Sequence, residues 1–438
     1  MRIAIYTMGC KVNQCDADTL VSALIAINHE AFHTRDFDCK ADVFVVNTCT
    51  VTHVSDKKSR QMLRRAKKNN PHALISMCGC MAKNSNAPMG VGSTPKGVDI
   101  IPKSIAPVPE GVDFVFDARA PQDFFAKLAE LSNAISDAKP QISPNATNTV
   151  IFKTRTFIKI QDGCDRFCSY CIVPYVRGEL KSRPISEIVA EAQSTDSAEV
   201  VLTGIQVAAY GQNTDDKLPN LIKAVAQSSV KRLRLSSIDP WAINDAFLQT
   251  IAETPALCPH FHLSLQSGCD ATLSRMNRRY TTENYAQAVL ALRKINPAVA
   301  LTTDIIVGFP GETDEDFQQS LNFAKAMQFS QIHVFEYSPR KGTPAAEMPN
   351  QVHPETKHTR GKILREVAAV LQQNYLQSQV CRTVQVLFET PQSGLSENYC
   401  KTEVSNAGNF TNTIQNVQII SYTENSLKGK VTYGNTKN

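Results

Sequence analysis

Three cysteines constrain this chain more than any other feature. Cys164, Cys168 and Cys171 stand four and three residues apart in GCDRFCSYCIVPYVRG, residues 163–178. They follow directly on Phe157–Gln161, a run that reads as a strand. Three thiolates so spaced can reach one small inorganic centre. Iron–sulfur cubanes usually take four cysteines, so three leave one iron open. An open position is what a metal centre needs to bind and activate a ligand, as catalytic zinc sites illustrate. The alternative is a structural zinc site whose fourth ligand lies elsewhere. The position after a strand favours the cluster, because loops after barrel strands are where active sites sit.

The strand before the motif opens a long alternation. Candidate strands are Phe157–Gln161, Glu199–Thr203, Arg232–Ser236, Phe261–Leu265, Leu301–Val307 and Gln331–Glu336, with helical stretches at 184–194, 219–228, 243–253, 283–294 and 314–327 between them. Six strands and five helices suit a partial (β/α)6 TIM-like barrel, short of the eight units of the full form. TGI at 203–205, SSIDP at 236–240, HLSLQSG at 262–268 and TDIIVGFPGE at 303–312 fall at strand ends and can line a polar pocket. YSPRKGTPA at 337–345 places Arg340 and Lys341 near the same rim. Each of these stretches also reads as a simple turn between elements.

Thirteen cysteines are many for a reducing compartment, where stable disulfides are rare. Metal binding is the better explanation for the grouped ones. Residues 1–82 read as βα units of a parallel sheet: strands at Arg2–Met8, Asp42–Asn47 and Ala73–Cys78, and a helix at Asp16–Ile27. Cys10, Cys49 and Cys80 each lie just past one of these strands. Ligands of open parallel sheets bind outside the carboxyl ends. Adjacent strands lie about 4.8 Å apart, so the three thiols can converge, although unconnected cysteines in turns remain the alternative. Cys15 and Cys78 compete as ligands. Cys15 falls in the following helix and Cys78 on the strand, which favours Cys10 and Cys80. Cys39, Cys258, Cys381 and Cys400 stand alone and read as small buried hydrophobes.

Lys83–Pro109 reads as a loop or insertion. A strand at Asp113–Phe116 and a helix at Gln122–Leu131 close the first domain, and polar Ser132–Thr149 reads as a linker. The boundaries expected are 1–135, a linker at 136–149, 150–374 and 375–438. The last segment has short alternating stretches, among them Val384, Val386 and Phe388, as in a small antiparallel barrel. The net charge is +5, unevenly placed: from Asp56 to Lys68 a helical pattern carries seven Lys and Arg against one acid. It is either a solvated face or a contact for nucleic-acid phosphates. No run of about 18 apolar residues suggests a membrane span. MRIAIYTMGC lacks a signal-peptide layout, so a cytoplasmic protein is expected.

The order of these features resembles the radical S-adenosylmethionine (SAM) methylthiotransferases over nearly the full length. It runs from three spaced cysteines through CxxxCxxC, HLSLQSG and YSPRxGTPA to a small β-barrel. Within that family, GCKVNQ at 9–14, NTCTVTHVSDKKSRQMLRRA at 47–66 and YSPRKGTPA look like the MtaB type. The resemblance implies a methylthio group added at C2 of N6-threonylcarbamoyladenosine, position 37 beside the tRNA anticodon. It implies two 4Fe–4S clusters, one on Cys164, Cys168 and Cys171 that binds and cleaves SAM, and an auxiliary one on Cys10, Cys49 and Cys80. Around SAM it suggests Tyr170, Thr203, Gly204, Ser236, Gln266, Asp304 and Arg340. The tail would be a TRAM domain, an RNA-binding barrel. An electron donor and a sulfur source are needed, and neither is identified by the sequence.

This chain departs from the family pattern at Cys15, where an aromatic residue is usual, and at Asp117-Ala118, where Gly-Asn is usual. Lys83–Pro109 also has an unusual composition. Related substrates are isopentenyladenosine in tRNA and an aspartate of a ribosomal protein. A reading from another class is a non-catalytic, metal-containing RNA-binding protein. That reading accounts for the basic helix and the terminal barrel, but structural zinc sites are almost always closed by four ligands.

Overall fold

A computed structural model describes residues 1–82, 108–135, 154–405 and 408–432, apart from the side chains of 133–135. The linker expected at 136–149 and nearly all of Lys83–Pro109 lie outside them.

The first domain is a five-stranded parallel sheet. Its strands are β1 (Arg2–Thr7), β2 (Glu30–Thr34), β3 (Val43–Thr48), β4 (Leu74–Gly79) and β5 (Phe114–Val115), in the order β2-β1-β3-β4-β5. β3, VFVVNT, is buried at every position, which is why it reads as an unbroken apolar run. Helix α1 (Lys11–Ala26) covers one face with Leu20 and Leu24, and helix α2 (His53–Asn69) covers the other with Met62 and Leu63. β2 went unread because EAFHT is a half-polar edge strand. α1 begins at Lys11, earlier than Asp16, because Cys10 itself occupies the N-cap position.

The second domain has six parallel strands: β6 (Arg155–Asp162), β8 (Glu199–Gly204), β9 (Leu233–Leu235), β10 (His260–His262), β11 (Ala300–Val307) and β12 (Gln331–Glu336). A short β7 (Lys181–Ser182) flanks β6 antiparallel. The parallel bridge Ile238↔Leu263 joins β7-β6-β8-β9 to β10-β11-β12, so the wall curves as a part-barrel. Alternation sorts its two faces. Ile158, Ile160, Leu202, Leu235, Leu263 and Ile305 pack under the helices, while the opposite positions line a polar lumen. Helices Thr282–Ile295 and Asp314–Met327 start with capping boxes on Thr281 and Thr313. The 25-residue helix Pro354–Ser378, with Gly361 inside it, was not anticipated. There the glycine serves packing: a Cβ would stand 3.0 Å from Glu336 Oε1.

The third domain is a closed barrel of β13 (Thr383–Phe388), β14 (Ser393–Ser396), β15 (Lys401–Val404), β16 (Ile414–Tyr422) and β17 (Leu427–Val431), in the order β13-β14-β15-β17-β16. It is not wholly antiparallel, because β15 and β17 pair in parallel. Cys258 and Cys400 are buried as expected, but Cys381 is exposed and so is no core residue. It occupies a left-handed turn before β13.

The terminal barrel docks at the amino ends of the core strands. Arg234 donates to both Glu199 oxygens at 3.1 Å and to the Glu397 carbonyl at 3.1 Å. Arg232 donates to the Ser396 carbonyl at 2.8 Å. Tyr399 stacks on His260 with ring centroids 4.6 Å apart. Among the described residues no helix is long and apolar enough to cross a membrane.

Burial alone would raise the pKa of Glu199, but Arg234 and Arg232 hold it at about 2. Its folded value therefore lies below the unfolded one of about 4.3. Its stabilisation is complete above the unfolded value and is lost as pH falls towards 2. Glu199→Gln strands guanidinium groups in a buried site, which costs about 3–5 kcal/mol. Urea unfolding should show a less stable variant at pH 7 with a flatter acid limb. Equal stability at pH 7 contradicts this account.

Candidate catalytic centre

The loop after β6 is shaped by its backbone. Gly163 takes φ +75°, and a Cβ there would lie 1.8 Å from the Glu179 carbonyl oxygen, so only glycine fits. Cys164 N donates to the Gly178 carbonyl at 3.1 Å, and Cys171 N to the Cys168 carbonyl at 2.9 Å. Across the loop, Ser169 Oγ donates to the Arg275 carbonyl at 2.7 Å and Asn277 Nδ2 to that of Phe167 at 3.0 Å. Burial pushes the Cys171 thiol up to about 12, and Cys168 and Cys164 lie close enough to add to it. Burial likewise lifts Cys164 to about 11. Left alone these thiols stay neutral; a bound cation reverses that balance and deprotonates them. Arg278 Nη1 stands 3.4 Å from Cys168 Sγ and pairs with Asp239. Arg166, Trp241 and Tyr280 complete the cleft beside them. Sequence reasoning reached SSIDP but passed over Arg278 in RMNRRY, which has no spacing signal.

Two of the strand-end cysteines of the first domain, Cys10 and Cys49, lie close enough to the third, Cys80, to act on its thiol. Gly9 has φ +97°, and a Cβ on it would stand 3.1 Å from Cys49 Sγ. Burial raises the Cys80 thiol to about 11; the Arg177 guanidinium pulls it back, and Cys10 and Cys49 push it further up. Ser59 fixes the Cys49 backbone, donating to its carbonyl at 2.8 Å and accepting from its N–H at 3.2 Å. Cys10 sits at the N-cap of α1 without a side-chain cap bond. Asn13 ties the set together. Its Nδ2 donates to the carbonyls of Met8 and Thr48, both at 2.9 Å, and its Oδ1 lies 3.8 Å from Cys80 Sγ. Cys78 is fully buried in the sheet. Cys15 packs on the core instead, its Sγ 3.3 Å from the Phe157 carbonyl oxygen. Asn13 was missed because nothing in KVNQ marks it as a bridge.

One residue joins the two sets. Arg177 ends the short helix Val173–Arg177 that follows Cys171. It is 5% exposed. Its Nη1 donates to Asp16 at 2.7 Å and Asp162 at 3.2 Å, and its Nη2 bonds Asn13 Oδ1. Lys159 also pairs with Asp16. The loop of the second domain thereby reaches the cysteine site of the first.

The residues suggested around SAM divide. Thr203 and Gly204 end β8, and Ser236 follows β9 with its Oγ buried and unpartnered among the described residues. Gln266, at φ +71°, laces β10 to β11 through Gln266 N to the Asp304 carbonyl and Ile306 N to its own, both at 2.9 Å. Tyr170 lies in the cysteine loop, edge-on to Phe309. Asp304 accepts from His262 Nε2 at 3.3 Å, deeper in the lumen. Arg340 stands apart from this rim: it bonds Thr50 and donates to Asp56 Oδ1 at 3.2 Å, across the domain boundary. The glycine-shaped loop with three thiols and the unpartnered Ser236 Oγ suit a cluster that binds a small polar ligand.

Residues 158–324 match the Radical SAM superfamily, and residues 2–101 match Uncharacterized protein family UPF0004. The chain is 34% identical to "Threonylcarbamoyladenosine tRNA methylthiotransferase MtaB" of Bacillus subtilis (strain 168), over 97% of this chain and 89% of that one. It is 32% identical to the MtaB of Thermotoga maritima, over 97% and 96%. It is also 33% identical to "tRNA-2-methylthio-N(6)-dimethylallyladenosine synthase" of Caldicellulosiruptor saccharolyticus, over 98% and 92%. This chain belongs to the radical SAM methylthiotransferases. That membership makes it a tRNA-modifying enzyme using SAM and a 4Fe–4S cluster, and removes the non-catalytic reading. A solved structure of the radical SAM methyltransferase TsrM from Kitasatospora setae shares the fold, with a TM-score of 0.51 at 15% identity over 79% of this chain and 77% of that one.

Arg177→Met leaves the buried carboxylate of Asp16, and that of Asp162, with only Lys159 and, 3.9 Å from Asp162, Arg119 as cations. Breaking such a buried pair costs about 3–5 kcal/mol. Denaturation of the holoenzyme should show the loss, together with looser packing of the first two domains by hydrogen exchange in α1. Unchanged protection of α1 contradicts the role given to Arg177.

Proposed function

We propose that this enzyme methylthiolates C2 of N6-threonylcarbamoyladenosine at position 37 of tRNAs. The observation that supports the reading is Arg177, which ends the helix after Cys171 and reaches across the interface to Asp16, Asn13 and the Cys80 thiol of the first domain. Sulfur insertion at an unactivated aromatic C–H needs two tasks in one chamber, hydrogen removal and sulfur delivery. Cys164, Cys168 and Cys171 hold the cluster that, when bound, supplies the electron for SAM cleavage and hence the radical that takes hydrogen from C2. Cys10, Cys49 and Cys80 would hold a second 4Fe–4S cluster, which would supply the sulfur, with the methyl group coming from a second SAM. Ser236, Gly204 and Thr203 line the SAM side of the rim, and Tyr170 packs behind the loop.

The chain's own contribution is placement. Arg177 and Asn13 fix the distance between the thiol sets, and Arg340 with Asp56 closes the far side of the same interface. Lys57, Lys58, Arg64, Arg65 and Lys68 form the exposed face of α2, while Ser59, Met62, Leu63 and Ala66 are buried. This face suits the tRNA backbone, and the terminal barrel gives a second RNA contact. The adenosine is reached in the single-stranded anticodon loop, where no duplex has to be opened. Such a substrate places the enzyme in the cytoplasm.

The MtaB relatives favour threonylcarbamoyladenosine. A second reading, dimethylallyladenosine, has support from the relative at 33% identity. Nucleoside analysis of tRNA from a deletion strain separates them. The proposal predicts loss of the methylthio derivative of threonylcarbamoyladenosine alone. Its persistence, with no second enzyme supplying it, sinks the assignment.

Cys168→Ala should abolish SAM cleavage, whereas Cys49→Ala should keep cleavage and lose methylthiolation. Lost cleavage in a folded Cys49→Ala enzyme argues against two separable centres. Charge reversal at Arg64 and Arg65 should weaken tRNA binding and lower its salt dependence. Binding that does not change returns the helix to an ordinary solvated face.

A further inference from the structure

The lumen below the catalytic rim holds polar groups that none of the roles above uses. Lys11 follows Cys10 directly, yet its side chain turns away from the cysteine site and into the part-barrel. Its Nζ lies 5.7 Å from the centroid of the Phe157 ring on β6. Among the described residues it has no hydrogen bond and no ion pair.

On the adjacent parallel strands of the same lumen stand His262 on β10, Asp304 on β11 and His333 on β12. The two imidazole centroids are 5.9 Å apart. Asp304 fixes His262 through Nε2, and His262 Nδ1 is buried with no partner among the described residues. Within this chamber Arg234, His262, Lys11 and His333 each lie close enough to His260 to act on its ring. Glu199, the carboxylate that acts on Lys11, is already engaged by arginines, and Asp304 by His262. The chamber therefore has an unanswered cation, a free ring nitrogen and an excess of positive charge.

We propose that this chamber is the specificity pocket for a carboxylate-bearing substituent on N6 of the adenine. Lys11 pairs with the carboxylate, and His262, held by Asp304, accepts a hydrogen bond from the substituent's hydroxyl or N–H. This rests on the threonylcarbamoyl reading and deepens it. A purely apolar substituent would leave Lys11 and His262 desolvated and unpaired, and sites built to bond polar groups reject such analogues strongly. Lys11 is also well placed in the chain. It is one residue on from Cys10, so a base whose C2 meets that site can project its N6 group along the lysyl side chain.

The test uses reconstituted holoenzyme and three anticodon stem–loops. They carry N6-threonylcarbamoyladenosine, its uncharged methyl ester, or N6-isopentenyladenosine. For the wild type, KM and Kd for the ester should exceed those for the acid by at least about tenfold, the low end of a charge-assisted hydrogen bond. Lys11→Met should raise both constants for the acid by a similar factor and remove the preference over the ester. Lys11→Arg should restore part of it. Iron and sulfide content equal to wild type shows that the variants are intact. A wild type that accepts acid and ester alike overturns the pocket and leaves the proposed function standing. So does Lys11→Met with the wild-type preference. A wild type that modifies only the isopentenyl stem–loop overturns the proposed function, and the pocket with it.

Discussion

The structure depends on the buried guanidinium of Arg177. A cation at 5% exposure is tolerable only if its donors are matched. Here Nη1 and Nη2 are matched from both sides of a domain boundary, by Asp162 of its own domain and by Asp16 and Asn13 of the first, which answers the charge although Nε has no partner among the described residues. Asn13 in turn spans the ends of β1 and β3. The same contacts that satisfy the charge therefore fix where one cysteine set lies relative to the other. Arg177 also tempers the buried Cys80 thiol, so geometry and electrostatics are set by one side chain.

The two ends of the part-barrel carry different work. At the carboxyl ends lie the cysteine loop, the Ser236 hydroxyl and the interface with the first domain. At the amino ends, Arg155, Arg232 and Arg234 gather around Glu199 and hold the terminal barrel by its backbone carbonyls. Dense ion pairing at one end stabilises the frame, which lets the other keep unpartnered polar atoms such as Ser236 Oγ. Between them, alternation sends most of the apolar residues of the strands outward to the helices and leaves Lys159, His262 and Asp304 in the lumen, beside Phe157.

Much of this was legible in the sequence because it rests on local pattern. The cysteine spacing, the strand–helix alternation and the strand-end positions of Cys10, Cys49 and Cys80 need only chain geometry. The face of α2 followed from helical periodicity, with Met62, Leu63 and Ala66 inward and the basic residues outward. What escaped was non-local. Arg177 and Asp16 are 161 residues apart, and no spacing rule couples them. Arg340 read as a rim residue because it follows a barrel strand; its partners Thr50 and Asp56 belong to another domain. Lys11 looked like part of a signature and had no visible role until the lumen was seen.

The central claim is that two separate three-cysteine sets each hold a cluster in the same chain. Iron and sulfide can be counted in anaerobically reconstituted wild type and in two triple variants, one with Cys10, Cys49 and Cys80 replaced by Ala, the other with Cys164, Cys168 and Cys171 replaced. The account predicts about eight irons and eight sulfides per wild-type chain and about four of each in either variant, as expected for cubane clusters. About four irons in the wild type, unchanged when the first set is replaced, would contradict it.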